Sequence, residues 1–394
     1  MATFPNLPGV KIQEVLLGSP PIAGVGTSTA GFVGKAPDAA VAVDTVPVQI
    51  TSFDQFKATY VGAATRSTNL SRAVRGFFGN GGTECFVVNV KVEGLGNPNA
   101  ADTTAIEAGI DLLGQRDDIQ IIATPGSWSK SISDYLSAQA GLLRDRVAIL
   151  DAPPKTANTD LTSGGGKRPG DSEFAAFYYP RIIVGPELVD KVTPANGDPV
   201  SEAVSPVGHI AGLYALTDAT RGVHKAPANV TVSGALSTEA LLTDGDQNTL
   251  NIDGVNALRI FAGNTVVWGA RTLQVGGNSI DALFKYNNIR RLTNFIEQSL
   301  KAGLRFAVFE PNNLALRQTI TRSVRAFLDG VFRDGALFGA TPDEAFYVRF
   351  PDVFNTDADR LNGKLVLEVG LRPAPPAEFI IIRIGLLTQS AAAS

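Results

Sequence analysis

The 394 residues include one cysteine and two histidines. A lone cysteine, Cys85, excludes an intrachain disulfide. Its flanks, Glu84-Cys85-Phe86-Val87-Val88, read as a strand in which the thiol is a small buried hydrophobe. Together with His209 and His224 it cannot supply a Cys/His zinc cluster, and no His-Glu-x-x-His occurs. His209 sits in an apolar helical stretch and reads as a satisfied core residue. No apolar run reaches the roughly 18 residues of a membrane span. The start, Met1-Ala2-Thr3-Phe4-Pro5, has neither the basic nor the apolar region of a signal peptide, so synthesis in the cytoplasm is expected. Charge is sparse as well. A net charge of −4 makes no case for broad nucleic-acid binding, and 44% hydrophobic residues are enough to bury a sizeable core.

Several stretches come near a chemical motif and miss. Gly24-Val25-Gly26-Thr27-Ser28-Thr29-Ala30-Gly31 has Thr29 where a dinucleotide fingerprint needs its third glycine, and its strand follows the glycines instead of preceding them. Ser28 lies in Gly-x-Ser-x-Ala without the strand–elbow–helix setting of a nucleophile. Gly164-Gly165-Gly166-Lys167-Arg168 fails as a phosphate loop, with Leu161 at the first glycine position and Arg168 at the hydroxyl position. Asp244, Asp246 and Asn248 begin like a calcium loop, but Thr249 and Val255 replace its glycine and closing glutamate, so a polar hairpin turn is expected. Asp151, at a strand end, would be the general base of an enzyme, yet no partner acid or lysine cluster accompanies it. No catalytic residue, metal or cofactor is expected.

What is present is alternation. Strands are predicted at 83–92, 119–123, 146–150 and 181–184, with helices at 102–113, 132–144 and 171–179 between them. That order argues for a mainly parallel sheet with crossover helices. A helix is predicted at 203–216, and short strands with turns over 226–282. Helices follow at 287–301 and 314–332 with a short strand at 304–309 between them, and strands at 346–350 and 364–372. On the long helix Leu316, Ile320, Val324, Phe327, Leu328 and Val331 share one face. Arg322, Arg325 and Arg333 lie opposite, interrupted by Asp329: an ordinary solvated face, or a basic strip aimed at an acidic partner.

The two ends read as strands apart from the body. Val10, Ile12 and Val15 belong to a short alternating stretch isolated by prolines. After Pro373, Pro375 and Pro376, a stiff linker, residues 379–387 place Ile380, Ile382, Ile384 and Leu386 on one face and Phe379, Ile381 and Arg383 on the other. Both faces are mostly apolar, so this strand needs cover on both sides. Burying such side chains is worth about 1.5–3 kcal/mol each before ordering costs. Folding back into its own domain and pairing with a neighbour's sheet are equally consistent with the pattern.

The segments Leu7-Pro8-Gly9-Val10, Ala215-Leu216-Thr217-Asp218-Ala219-Thr220-Arg221-Gly222-Val223-His224-Lys225, Asn256-Ala257-Leu258-Arg259, Val267-Trp268-Gly269-Ala270-Arg271-Thr272-Leu273, Asn288-Ile289-Arg290-Arg291-Leu292, Phe309-Glu310-Pro311-Asn312-Asn313 and Pro376-Ala377-Glu378-Phe379-Ile380 occur in one order along the chain. As a series they resemble the contractile tail sheath family, found in phage tails and phage-tail-like injection systems. The resemblance implies an α/β subunit of two domains. An inner α/β domain is built from both chain ends, an outer α/β domain is inserted between them, and strand arms extend at the N- and C-terminus. On this chain that gives an N-terminal arm at 1–20, an outer domain at 21–280, an inner tube-facing domain at 281–372, and a linker with a donor strand at 373–394. It implies stacked hexameric rings around an inner tube, donor strands at Val10–Val15 and Phe379–Leu387, and tube contacts at Arg322, Arg325 and Arg333. Partners would be further copies, the inner tube protein, and baseplate and terminal cap proteins, with no nucleic acid and no direct membrane insertion. The chain is short beside many phage sheaths, which leans toward a minimal injection particle. The alternatives are a tube or baseplate subunit of such a particle, or an α/β enzyme.

Overall fold

Short runs of mainly apolar residues, most of them buried on both faces, form the centre of the molecule. In the computed structural model, which describes residues 21–64, 66–93, 98–185, 202–276 and 281–379, they are Ala30–Gly34 (β1), Val48–Ile50 (β2), Cys85–Asn89 (β3), Ile121–Ala123 (β4), Val147–Asp151 (β5) and Ala175–Tyr179 (β6). Then come Ile182–Val184 (β7), Glu202–Val204 (β8), Val230–Thr231 (β9), Ala235–Thr238 (β10), Val255–Phe261 (β11) and Asn264–Val267 (β12). One sheet runs β2-β3-β1-β4-β5-β6-β11-β12-β9. It is parallel from β3 through β11 and antiparallel at both ends. Successive residues feed opposite faces. Phe32, Val87, Ile149 and Tyr178 pack under helices Asn69–Gly79 and Val207–Arg221. Val33, Val88, Ala148 and Phe177 pack under helices Ala100–Gly114 and Lys130–Leu143. The mainly parallel α/β expectation for this region is met.

The first helix pair approaches closely through glycine. A Cβ at Gly208 would run into the Ala73 carbonyl, and one at Gly76 into the His209 ring. His209 is buried as expected, but it is not satisfied: its Nδ1 has no hydrogen-bond partner among the described residues. Burial pushes its imidazole down to about 4, so it is neutral at pH 7.

Four local expectations are corrected. Residues 171–179 form a strand at Ala175–Tyr179, not a helix, because their aromatic side chains are buried on both faces between β5 and β11. The expected turn at Asp244 is the start of a helix, Asp244–Ile252. Thr243 caps it: its hydroxyl accepts from the Asp246 amide, and the Asp246 carboxylate accepts from the Thr243 amide. The strand expected at 304–309 is a short 3-10 helix, Arg305–Ala307. The helix expected at 203–216 starts later, Val207–Arg221, because residues before Pro206 pair as β8 with β7.

A third core lies over helices Asn287–Gly303 and Leu314–Arg333, with strands Phe346–Arg349 (β13) and Glu368–Leu371 (β14). Ile22 is buried in this third core and the Val25 amide donates to Ser299 Oγ, while β1 opens the central sheet at Ala30. The chain therefore crosses from one core to the other between these points. Val10, Ile12, Val15, Ile380, Ile381, Ile382, Ile384 and Leu386 lie outside the described residues.

Candidate functional site

The long helix is capped by Asn313, whose side chain accepts from the Leu316 amide at 2.9 Å. Ile320, Val324, Leu328 and Val331 face the third core, as their spacing predicts. The three arginines opposite are not equivalent. Arg322 is exposed, with no ion pair or hydrogen bond among the described residues. Arg325 pairs with Asp343 at 2.6 Å and lies over the Phe346 ring. Arg333 Nε donates to the Asp329 carbonyl of its own helix at 3.1 Å. That face thus presents one unpaired cation and two that are partly engaged.

Two polar clusters tie distant segments together. Asp218, on Val207–Arg221, receives a two-pronged contact from Arg291, on Asn287–Gly303, at 2.9 and 2.5 Å. Both side chains are nearly fully buried. The Thr27 hydroxyl also donates to Asp218, at 2.6 Å, and Arg291 donates to the Thr27 carbonyl. The guanidinium lies 4.7 Å over the Tyr214 ring, and the Tyr214 hydroxyl shares a hydrogen bond with Tyr178 at 2.7 Å. Burial pulls the Arg291 pKa down, but the Asp218 carboxylate more than compensates, so the net direction is upward. This pair joins the N-terminal segment, the helices over the central sheet and the third core.

The second cluster holds the end of the described chain. Glu378 accepts from Arg271 Nε at 2.9 Å and Nη2 at 2.7 Å, from Asn251 at 3.0 Å and from the Tyr286 hydroxyl at 3.2 Å. Burial would raise its carboxyl, but these donors outweigh it and hold it below the usual range. Arg271 is itself fixed: its amide donates to Asn256 Oδ1, and Nη1 donates to the Asn251 carbonyl. Upstream, the Ala374 amide donates to Ala336, and Leu337 bridges Pro373. The proline-rich segment is laid across the subunit, anchored at both ends. Phe379 follows at 72% exposure.

The remaining candidates serve packing. Asp151 is buried 3.5 Å from Arg181, and burial raises its carboxyl pKa. Arg168, in the failed phosphate loop, is buried and donates to the Asp253 and Leu273 carbonyls. Burial raises the Cys85 thiol pKa. Among the described residues, no group of three or more His, Cys, Asp or Glu could hold a metal ion. Neither Arg271–Glu378 nor Asp218–Arg291 belongs to a motif that the sequence displays. Each residue sits in a segment that carried the resemblance, and that was the one available signal.

The chain matches two family models. Residues 93–273 match the phage tail sheath protein central domain, and residues 279–386 the phage tail sheath C-terminal domain. It is similar to a prophage major tail sheath protein of Pseudomonas aeruginosa strain UCBPP-PA14, 24% identical over 97% of this chain and 96% of that protein. Among solved structures it is similar to the sheath of the extracellular contractile injection system PVC in its contracted state. There the TM-score is 0.76 and identity 25%, over 99% of this chain and 100% of that one. The contracted helical sheath of the anti-feeding prophage gives a TM-score of 0.75 and 27% identity, over 96% and 99%.

Proposed function

Because the chain belongs to the phage tail sheath family and is a structural subunit of a contractile sheath, we propose that it polymerises as stacked hexameric rings around an inner tube and contracts to drive that tube through a target envelope. The observation that carries this reading is the likeness, over essentially the whole chain, to sheath subunits in contracted assemblies. The same likeness, to injection-system sheaths, favours a tail-like particle. The third core is the inner domain and the central sheet the outer one; because Ile22 and Val25 pack on the third core, the outer domain begins after residue 27 and not at 21 as the resemblance implied. The partners are further copies, the inner tube protein, and baseplate and cap proteins.

Residues Val10–Val15 and Phe379–Leu387 are donor strands. They need a sheet edge, and β13–β14 supplies two. It is a two-stranded sheet whose strands have no further neighbour among the described residues. Such a pair is marginal alone and exposes unpaired main-chain groups, which an incoming strand would satisfy. Main-chain pairing with apolar burial suits a link that survives contraction.

The tube contact is the face of Leu314–Arg333 bearing Arg322, Arg325 and Arg333. Exposed charge pairs are worth about 0–1 kcal/mol each, weak enough to release and strong when repeated along a sleeve. Electron microscopy of the purified chain tests the assembly reading: sleeves or stacked rings are expected, and a stable monomer overturns it. Arg322→Glu with Arg325→Glu is expected to weaken tube-templated extended assembly while sparing contracted sleeves. Arg322→Glu should carry most of the effect, since Arg325 already shares its charge with Asp343. Equal loss of both assemblies would remove the tube-facing role.

A further inference from the structure

We propose that the Arg271 clamp on Glu378 is the root of the C-terminal arm: it fixes the point at which the donated strand leaves the subunit and takes the proline-rich linker out of the arm's reach. This rests on the reading that residues 380–387 are donated to a neighbour.

The guanidinium of Arg271 grips both oxygens of Glu378, and Asn251 and Tyr286 donate to the same carboxylate. A bidentate, charge-assisted contact fixes direction as well as distance. Neither partner of the ion pair is free in solvent, with side chains 15% and 20% exposed. The gripping residue is held by its own second layer. Asn256 accepts from the Arg271 amide and donates to its carbonyl, so the clamp is tied to β11 of the central sheet. It can therefore carry load into the body instead of swinging with a loop.

Position gives the clamp its consequence. Glu378 precedes Phe379, the first residue of the apolar strand, and Phe379 is exposed beside a groove walled by Trp268, Ala228 and Tyr286. Upstream, the chain is pinned at Ala374 by its bond to Ala336. The four residues 375–378 carry the chain from the first pin to the second. Extended at about 3.1 Å per residue, they would add about 12 Å of reach if the clamp opened. Closed, they add none. The linker then ties the third core to the central sheet within one subunit, and the distance to a neighbour is set by the strand alone. Arg271, Asn251, Tyr286 and Glu378 act as positioning residues for assembly.

Insertion in the full-length chain tests this. A Gly-Ser-Gly-Ser insert between Pro375 and Pro376 lies before the clamp, and the same insert between Phe379 and Ile380 lies after it. The upstream insert should leave the helical rise of sleeves unchanged and pelletable polymer within about twofold of wild type. The downstream insert adds up to about 13 Å of slack; it should change the rise or lower pelletable polymer at least fivefold. In an Arg271→Met background the upstream insert should behave like the downstream one. Equal effects of the two inserts in the unaltered background overturn the proposal, because a linker acting as one free tether is indifferent to where slack is added. Removal of 380–394 reports on the underlying reading separately. If that truncated chain still forms sleeves, strand donation is wrong; if it does not while the inserts are equivalent, only the clamp is.

Discussion

Asp218→Ala is expected to destabilise the folded subunit by about 3–5 kcal/mol, the range for breaking one partner out of a buried ion pair. The pair is nearly inaccessible to water, and Arg291 spends two donors on Asp218. Without the carboxylate the guanidinium stays in place, because its helix is packed into the third core through Leu292 and Ile296. Among the described residues it would keep only the Thr27 carbonyl and the Tyr214 ring as partners. Thr27 loses its acceptor too, so the N-terminal segment loosens with it. Asp218→Ala with Arg291→Met should recover much of the loss, since no uncompensated charge is then left buried. Urea denaturation of the unassembled chain measures both, through the shift in midpoint at constant slope. A shift below about 1 kcal/mol for Asp218→Ala would mean that water or a rearranged neighbour solvates Arg291.

The central sheet was legible because its apolar runs are short and are separated by helix-length segments of different periodicity. The same cue failed at 171–179. Phe177, Tyr178 and Tyr179 are buried on both faces, and a short apolar run without alternation fits a helix as well as a strand. At Asp244 the sequence carries a helix start signal, a threonine with an acidic residue three positions on, but Gly245 and the spaced carboxylates equally suit a turn. On the Leu314–Arg333 helix, which arginines share a face follows from 100° per residue, but their partners do not. Asp343 lies 18 residues beyond Arg325, on a separate element. Arg271 and Glu378 are 107 residues apart, and no periodicity links them. For the terminal strand, the pattern establishes a need for cover and leaves open whose sheet provides it. Glu378, just before it, anchors the chain to its own subunit, so any donation begins after that residue.

Removing residues 380–394 is expected to leave a folded subunit and to reduce sleeve formation by orders of magnitude. The described members of all three cores lie between residues 22 and 371, so none of them is removed. The melting temperature of the unassembled chain should change by no more than a few degrees. The polymer is affected differently. Ile380, Ile381, Ile382, Ile384 and Leu386 are five large apolar side chains, worth about 8–15 kcal/mol gross when buried at about 1.5–3 each. Even after ordering costs of several kcal/mol, losing them at every junction leaves little to hold one subunit to the next. The cut must fall after Phe379. A cut before Glu378 would also strip Arg271 and Tyr286 of their acceptor and destabilise the body, so that loss of fold and loss of assembly would coincide. With the clamp intact, calorimetry and sedimentation read the two properties independently. A truncated chain that unfolds assigns residues 380–387 to their own subunit's core. One that melts normally and still sediments as sleeves places the link elsewhere, with Val10–Val15 the next segment to remove.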